Sequence, residues 1–429
     1  MGNKPDFIDN LDGNTMSTAI FGGILRSLKH RDYLIFMIGH TLAAVGRWMK
    51  RTAVGWLAWE LTDSTSWLGI VAFADLVPML VFVILAGAIS DRVGLMRIVK
   101  LSQILSGLIA ILFAMLIFTD LITIELVVVL SLFFGAAEAL SQPARMAAVY
   151  SLVPKEDLSS AIALGAATFN ASRIIGPAIA GALIIWTDTG VVIALCAAIF
   201  FIFYFLLCAI RMVETATGQD LSLELFVDIW RGCLYVYGHA GIRFMMILMM
   251  AVSLLLRPVI ELMPGVSGQI FDAGPTGLSL LLGAIGAGAL VASLWLARRG
   301  EIAGLTGMVI FSILGCGVSL LFAIITSQLW IAMTFLTFVG VFMLIGNVGA
   351  QSLIQNTVDQ EVRARVLGLF IVFAHGLPAV GAVVMGWIAS VAGLPMTIGI
   401  GALLMVLVWL WARPQSANMA DVLERPEPG

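Results

Sequence analysis

Long apolar stretches follow one another through this 429-residue chain, separated only by short polar links. A helix needs about 20 mostly apolar residues to cross the hydrocarbon layer of a bilayer. We identify twelve such stretches, at residues 33–61, 66–90, 98–118, 124–149, 159–186, 191–210, 243–265, 277–297, 304–326, 328–355, 366–391 and 394–412. The residues are 61% hydrophobic and 11% charged, far from the balance of a soluble domain. The sequence therefore predicts an all-α membrane protein with twelve transmembrane helices.

Basic residues collect in alternate links of this pattern. The second, fourth, sixth, eighth and tenth links or their edges hold Arg92, Arg97, Lys100, Arg145, Lys155, Arg211, Arg231, Arg243, Arg298, Arg299, Arg363 and Arg365. The odd-numbered links contain no Lys or Arg. Because cytoplasmic loops collect Lys and Arg, we expect both termini and every even link on the cytoplasmic side of a bacterial inner membrane.

The two halves of the chain share positions at a constant offset. Val153, Glu156, Gly176 and Gly181 match Val358, Glu361, Gly381 and Gly386, in each case 205 residues later (358 − 153). This predicts two pseudo-symmetric six-helix bundles. The expected organisation is a tail (1–32), a first bundle (33–210), a cytoplasmic linker with an interfacial helix (211–241), a second bundle (242–412) and a tail (413–429).

The link between the second and third stretches reads GAISDRVGLMR and resembles the signature loop of the major facilitator superfamily. The segments VGRWMKRTAVGWLAWELTDS, QPARMAAVYSLVPKEDLSSA and QNTVDQEVRARVLG are similar to the exporter-type branch, the transmembrane secretion effectors, which includes enterobactin and macrolide efflux proteins. The resemblance implies a secondary transporter that works by alternating access and exports its substrate. We assign the conformational gate to Gly87, Asp91, Arg92, Gly94, Arg97 and Arg145.

The fifth stretch reads SRIIGPAIAG and is similar to the Gly-Pro motif of antiporters. Gly176, Pro177 and Gly181 stand at the motif positions. Read without the family, a Gly-Pro pair in a helix frees a backbone carbonyl and lets a neighbouring helix come close. A helix-packing motif explains these residues as well as a conformational role does.

Ionisable residues lie deep inside several apolar stretches, where they are costly unless they face a protein interior or water. The basic ones are Arg47, Lys50, Arg51, Arg173 and Arg257, and the acidic ones are Asp75, Glu138 and Glu261. We expect the basic residues, with Asn347 and Gln351, to bind substrate, and Asp75, Glu138, Glu261, His40 and His375 to be candidates for proton coupling. The basic surplus predicts an anionic or zwitterionic amphipathic substrate, unless these charges only neutralise one another.

Two other functions remain open at this stage. A lysophospholipid or lipid carrier of the same fold would use the same cavity, and a membrane-embedded enzyme would need a cluster of catalytic or metal-binding residues. The four cysteines and four histidines show no such spacing, so we expect no enzyme, metal or cofactor. The expected partners are a small molecule, protons and the lipid bilayer, with no nucleic acid, for a chain that acts as a monomer.

Overall fold

The computed structural model describes residues 26–210, 224–359 and 362–424, with the side chains at 83–92, 224–229, 364 and 375 excepted. These residues form helices joined by short loops, and no strand occurs among them. The N-half, residues 26–210, holds the helices α1 (Arg31–Thr62), α2 (Thr65–Val93), α3 (Leu95–Phe118), α4 (Ile124–Leu152), α5 (Leu158–Trp186) and α6 (Thr189–Cys208).

The C-half, residues 224–424, is more interrupted. It holds the helices α7 (Glu224–Gly238), α8 (Ala240–Leu255), α9 (Pro258–Glu261), α10 (Met263–Gly265), α11 (Gly274–Arg299), α12 (Leu305–Ile325), α13 (Leu329–Thr357), α14 (Arg363–Ile371), α15 (Leu377–Ala392), α16 (Leu394–Ala412) and α17 (Ser416–Leu423). Val266–Ile270 and Val372–Gly376 form π-helical turns.

Eleven helical segments among the described residues are long and apolar enough to cross a membrane. The chain is therefore a multi-pass membrane protein. Helix α1 spans 32 residues but is not among the eleven, because Arg47, Lys50 and Arg51 lower its apolar character near the middle. The twelfth crossing and the division into two six-helix bundles stay predictions.

Each half is held together by helix pairs, and two further pairs join the halves. In the N-half, α2 packs on α4, α1 on α5 and α6, and α3 on α4 and α6; in the C-half, α13 packs on α11 and α12, and α12 on α16. Between the halves, α2 packs on α15 and α5 packs on α11. The helices at these two contacts carry glycines at the points of closest approach, which small residues permit in membrane proteins.

The halves meet tightly at the end of the bundle that carries the α1–α2 loop, which we name the closed end. There the Thr65 hydroxyl donates a hydrogen bond of 2.9 Å to the Gly386 carbonyl, and Gly181 on α5 packs against Ser279 on α11. Towards the opposite end of α5, Ile162 and Phe169 are exposed and Gly165 faces open space.

Helix α3 presents an apolar stripe to its surroundings. Its exposed residues recur at helical spacing and are Leu101, Leu105, Leu108, Leu112 and Met115. Because α3 packs mainly on two helices, this stripe lies on the outside of the bundle, as expected for a surface that faces lipid. The absence of ionisable residues from the interior of this helix is explained by that position.

Two predicted crossings are confirmed as apolar spans but contain breaks that the sequence did not predict, and one further helix was not predicted. The predicted helix 243–265 breaks after Leu255, because Pro258 has no backbone N–H to continue the ladder. The predicted helix 366–391 is interrupted by the π turn Val372–Gly376. The segment expected as a C-terminal tail contains α17, which packs on α8, α12 and α13.

Gly94 joins α2 to α3 with a φ of 101°, a left-handed backbone angle that a side chain would strain. This backbone angle alone therefore explains why the motif has a glycine at this position.

Glu424, just after α17, caps the start of α12. Its carboxylate accepts hydrogen bonds from the backbone N–H groups of Gly304 at 2.6 Å and Thr306 at 2.7 Å. These groups have no partner inside the helix, and a negative charge is favoured at a helix N-terminus. We expect Glu424→Ala to lower stability by about 1 kcal/mol, measured as a lower melting temperature of the purified protein in detergent. Glu301→Ala, at an exposed position in the link before α12, is the control, and equal melting temperatures for both variants would contradict the cap.

Candidate functional site

Helix α1 carries a polar segment, Arg47 to Arg51, whose three basic residues contact three different helices. Arg47 contacts α4, Lys50 contacts α2, and Arg51 contacts α9 in the C-half. This distribution follows from helical geometry, since successive residues project about 100° apart.

Glu138 on α4 sits between two arginines. Arg145, two turns further along α4, donates to both of its carboxylate oxygens, at 3.4 and 2.8 Å, and also to the Ser141 hydroxyl at 2.6 Å. Arg47 adds an ion pair at 3.6 Å from the side of α1. The carboxylate therefore joins α1 to α4 while most of its surface is buried.

Lys50 is almost fully buried and pairs with Asp75 on α2 at 2.6 Å. Its ammonium also lies 4.0 Å from the centre of the Phe134 ring, an arrangement that a cation favours. Buried ion pairs are stable only when each charge keeps its partners. Lys50 was predicted to bind substrate, and its burial and its pairing with Asp75 also fit an internal counter-ion; its role in binding stays a prediction.

Arg51 crosses between the halves. Its guanidinium forms an ion pair with Glu261 on α9, in which Nε lies 3.2 Å from Oε2. This pair and the Lys50–Asp75 pair line one small cavity of about 30 Å³. The buried Ser131 hydroxyl on α4, which has no hydrogen-bond partner, lines the same cavity.

Trp48 lies between two guanidinium groups. Arg51 stands 5.1 Å and Arg173 5.5 Å from the centre of its ring. Gly176, one turn after Arg173 on α5, lets that helix approach the Trp48 side chain and the α1 backbone closely. The Gly-Pro motif is thus a close-packing site that also brings Arg173 to Trp48.

Arg257 stands at the break between α8 and α9. Its guanidinium donates to the Asn347 amide oxygen at 2.6 Å and to the Ala374 carbonyl in the π turn Val372–Gly376. Its Nε is buried without a hydrogen-bond partner. Two interrupted helices therefore meet at one arginine, as occurs where transporter helices are broken around a site.

The structure brings most of the predicted site residues together but leaves some outside. The ring of His40 stacks on Phe36 at 5.6 Å and meets Phe203 edge-on, so it packs among aromatic side chains of α1 and α6. Gln351 lies one turn beyond Asn347 on α13 and is half-buried. The side chains of Asp91, Arg92 and His375, like position 87, lie outside the part whose burial is described, so their predicted roles stay predictions.

Arg145 was assigned to the gate; the structure pairs it with Glu138, and its role in the gate stays a prediction. It is 5% exposed, so it belongs with the buried charges. In the described part of the chain, the site then contains three acidic residues, Asp75, Glu138 and Glu261, and six basic residues. The basic residues are Arg47, Lys50, Arg51, Arg145, Arg173 and Arg257. The basic surplus is larger than the sequence indicated.

Three residues of the site were missed by the sequence interpretation. Trp48 had a visible signal, because a tryptophan in mid-helix between basic residues is unusual away from the membrane interface. Ser141 stands between Glu138 and Arg145 on one helix face, which the spacing of three and four residues also indicated. Phe134 carried no signal beyond its place on α4.

Comparison with known proteins identifies the family and agrees with the fold. The family model described as transmembrane secretion effector matches residues 23–421. The chain is 24% identical to the staphyloferrin A transporter of Staphylococcus aureus, over 85% of this chain and 91% of that one. It is 25% identical to the multidrug efflux pump Tap of Mycolicibacterium fortuitum, over 87% and 93%.

The same fold occurs in a solved bacterial homologue of the human lysosomal transporter Spinster. The TM-score is 0.68 at 11% identity, covering 93% of this chain and 99% of the other. Together, the apolar helices, the buried polar site and the match over almost the whole length show a transporter rather than an enzyme. The chain belongs to the transmembrane secretion effector family, the exporter-type branch of the major facilitator superfamily of secondary transporters.

Proposed function

We propose that this transporter exports a small amphipathic molecule that is anionic or zwitterionic, in exchange for protons and by alternating access. It acts as a monomer in the bacterial inner membrane. Helix α1 adds one crossing to the eleven apolar segments, which makes twelve, and each half forms one six-helix bundle. The proposed substrate class is inferred mainly from Arg173 and Arg257. Neither forms an ion pair within the part of the chain that the structure describes.

An unpaired cation inside a membrane protein costs several kcal/mol unless water or an anion compensates it. The other basic residues of the site have carboxylate partners: Arg47 and Arg145 share Glu138, Lys50 pairs with Asp75, and Arg51 pairs with Glu261. A bound anion supplies the compensation that Arg173 and Arg257 lack. A lipophilic cation would instead be repelled by them.

The proposed proton coupling rests on Asp75 and Glu261. Both line the same cavity, where, among the described residues, Asp75 forms an ion pair with Lys50 and Glu261 forms one with Arg51. Glu138 is held by two arginines, which favours a permanently charged carboxylate. Protonation of Asp75 or Glu261 would free Lys50 or Arg51, which links the charge of the site to the proton gradient.

Alternating access is supported by the unequal ends of the bundle. The halves are in contact at the closed end, whereas residues of α5 are exposed towards the other end. Gly87, Asp91, Arg92, Gly94 and Arg97 at the α2–α3 connection remain our candidates for the gate. The relatives named for staphyloferrin A transport and multidrug efflux agree with export of a small molecule.

A transport assay on purified protein in liposomes tests this proposal. Uptake of an amphipathic anion such as a dansylated amino acid, and of ethidium as the cation, is measured with and without an imposed pH gradient. We expect the gradient to drive the anion at least about tenfold faster than the cation. Faster transport of ethidium than of the anion would contradict the substrate class. Anion transport at the same rate with and without the pH gradient would contradict the proton coupling.

The membrane orientation makes a separate prediction. Single cysteines at positions 63, 188 and 272, in a background without the four native cysteines, are expected to react with an impermeant thiol reagent on intact cells. The control is a cysteine at position 299, which should react only after the membrane is opened. Labelling of position 299 on intact cells would reverse the orientation.

A further inference from the structure

Three arginines from both halves form a cluster: Arg51 and Arg173 lie over the Trp48 ring, and Arg257 stands at the break between α8 and α9. Arg51 lies on α1, Arg173 on α5, and Arg257 between α8 and α9. They lie close enough for Arg257 to interact electrostatically with both Arg173 and Arg51. Within the described residues, Glu261 is the one carboxylate that forms an ion pair with any of the three. The cluster therefore holds three positive charges and one negative charge, beside Asp75, which interacts with Arg51 but is ion-paired with Lys50.

Two features show that this cluster is prepared for a ligand. The Nε of Arg257 is buried and has no hydrogen-bond partner, while its two Nη groups are held by the Ala374 carbonyl and the Asn347 amide. Arg173 has its guanidinium against the Trp48 ring. Arginine presents a planar fork that matches a carboxylate or phosphate group, so both side chains are fixed in place with donors to spare.

Arg51 differs from the other two because its partner belongs to the opposite half. Glu261 occupies it in the present conformation, and the pair joins α1 to α9 across the cavity. An anion that reaches Arg51 must compete with Glu261. Such competition would break a contact between the halves at the moment of binding.

We propose that the substrate carries two anionic groups. One binds Arg173 and Arg257, and the other replaces Glu261 at Arg51. This inference rests on the proposed export of an anion and specifies its charge. Binding of the second group neutralises the cluster and releases Glu261, so that occupancy of the site loosens the ion pair that joins the halves.

Binding of a matched series of amphiphiles tests the proposal on the full-length protein in a neutral detergent. The probes are dodecylsuccinate with two carboxylates, dodecanoate with one, and dodecyltrimethylammonium as the cation, and each dissociation constant is measured by tryptophan fluorescence or calorimetry. We expect dodecylsuccinate to bind at least about tenfold more tightly than dodecanoate, which corresponds to about 1.4 kcal/mol. Lysophosphatidate extends the series to a lipid phosphate: equally tight binding assigns the two charges to a lipid headgroup, and weaker binding assigns them to separate carboxylates.

Variants separate a ligand site from a structural role. Arg257→Gln should reduce the preference for the dicarboxylate to less than about threefold, while its retained fold is checked by an unchanged elution volume. Glu261→Gln should tighten dodecylsuccinate binding, because Arg51 loses its internal competitor, and should leave dodecanoate unchanged. A merely structural ion pair would predict weaker binding of both. Glu60→Gln on the exposed end of α1 is the matched control.

The outcomes distinguish this inference from the function on which it rests. Equal binding of dodecylsuccinate and dodecanoate, both tighter than the cation, overturns the two-anion site and retains an anion exporter. Tightest binding of dodecyltrimethylammonium overturns both. Weaker dodecylsuccinate binding by Glu261→Gln overturns the competition at Arg51.

Discussion

Replacing Glu138 by glutamine is expected to destabilise this transporter by about 3 to 5 kcal/mol, because the change leaves two buried arginines without their carboxylate. Arg145 is 5% exposed and Arg47 is 19% exposed at the side chain, so water cannot replace the lost charge fully. This carboxylate joins α1 to α4, together with the contact of Lys50 with Phe134. We expect a melting temperature lower by several degrees in detergent and transport reduced to background.

Second-site changes distinguish this charge imbalance from the loss of one hydrogen bond. Adding Arg47→Met to Glu138→Gln removes one of the two unpaired cations and should recover part of the melting temperature. Glu60→Gln, at the exposed end of α1, should leave stability unchanged. A Glu138→Gln variant as stable as the wild type would mean that the two arginines have other compensation.

The helices that cross the membrane were predictable because lipid imposes a local rule on each one. A helix in hydrocarbon must satisfy its own backbone and be apolar for about 20 residues, so its position can be read without knowing its neighbours. The predicted stretch 66–90 thus lies within Thr65–Val93, and 124–149 lies within Ile124–Leu152. The π turn at Val372–Gly376 was not predicted from the sequence, because it depends on packing, including the contact of Gly376 with Leu80 in the other half.

The candidate site was predictable in depth but not in its pairings. Counting from the cytoplasmic ends of the predicted stretches places Arg47, Arg173 and Arg257 each 14 residues in (47 − 33, 173 − 159, 257 − 243), which predicts one polar layer. Which acid faces which base depends on helix rotation and on neighbours far away in sequence, as for Arg51 and Glu261. Arg145 is the exception, since it lies seven residues, or two turns, from Glu138 and this spacing could have placed it in the site.

A disulfide across the closed end is expected to abolish transport, which is the largest single effect that the structure predicts for alternating access. A Cβ atom added at Gly181 on α5 would lie 2.7 Å from the Ser279 Cβ on α11, so Gly181→Cys with Ser279→Cys needs only a small separation of the helices to form the bond. The bond would hold the two halves in the present conformation. We expect oxidised protein in liposomes to transport at less than about one hundredth of the reduced rate, a difference of about 2.7 kcal/mol in the barrier.

A disulfide within one half separates this restraint from simple cross-linking. A Cβ added at Gly46 on α1 would lie 3.7 Å from the Ile199 Cβ on α6, close to the usual spacing of about 3.8 Å in a disulfide. Gly46→Cys with Ile199→Cys joins two helices of the N-half, which move together if the halves rock as bodies, so oxidation should leave transport within about twofold. Both pairs are placed in a chain whose four native cysteines are replaced by alanine, and a reductant should restore transport to the inter-half pair. If the oxidised inter-half pair still transports, the contact between α5 and α11 persists through the cycle, and the halves do not separate at this end.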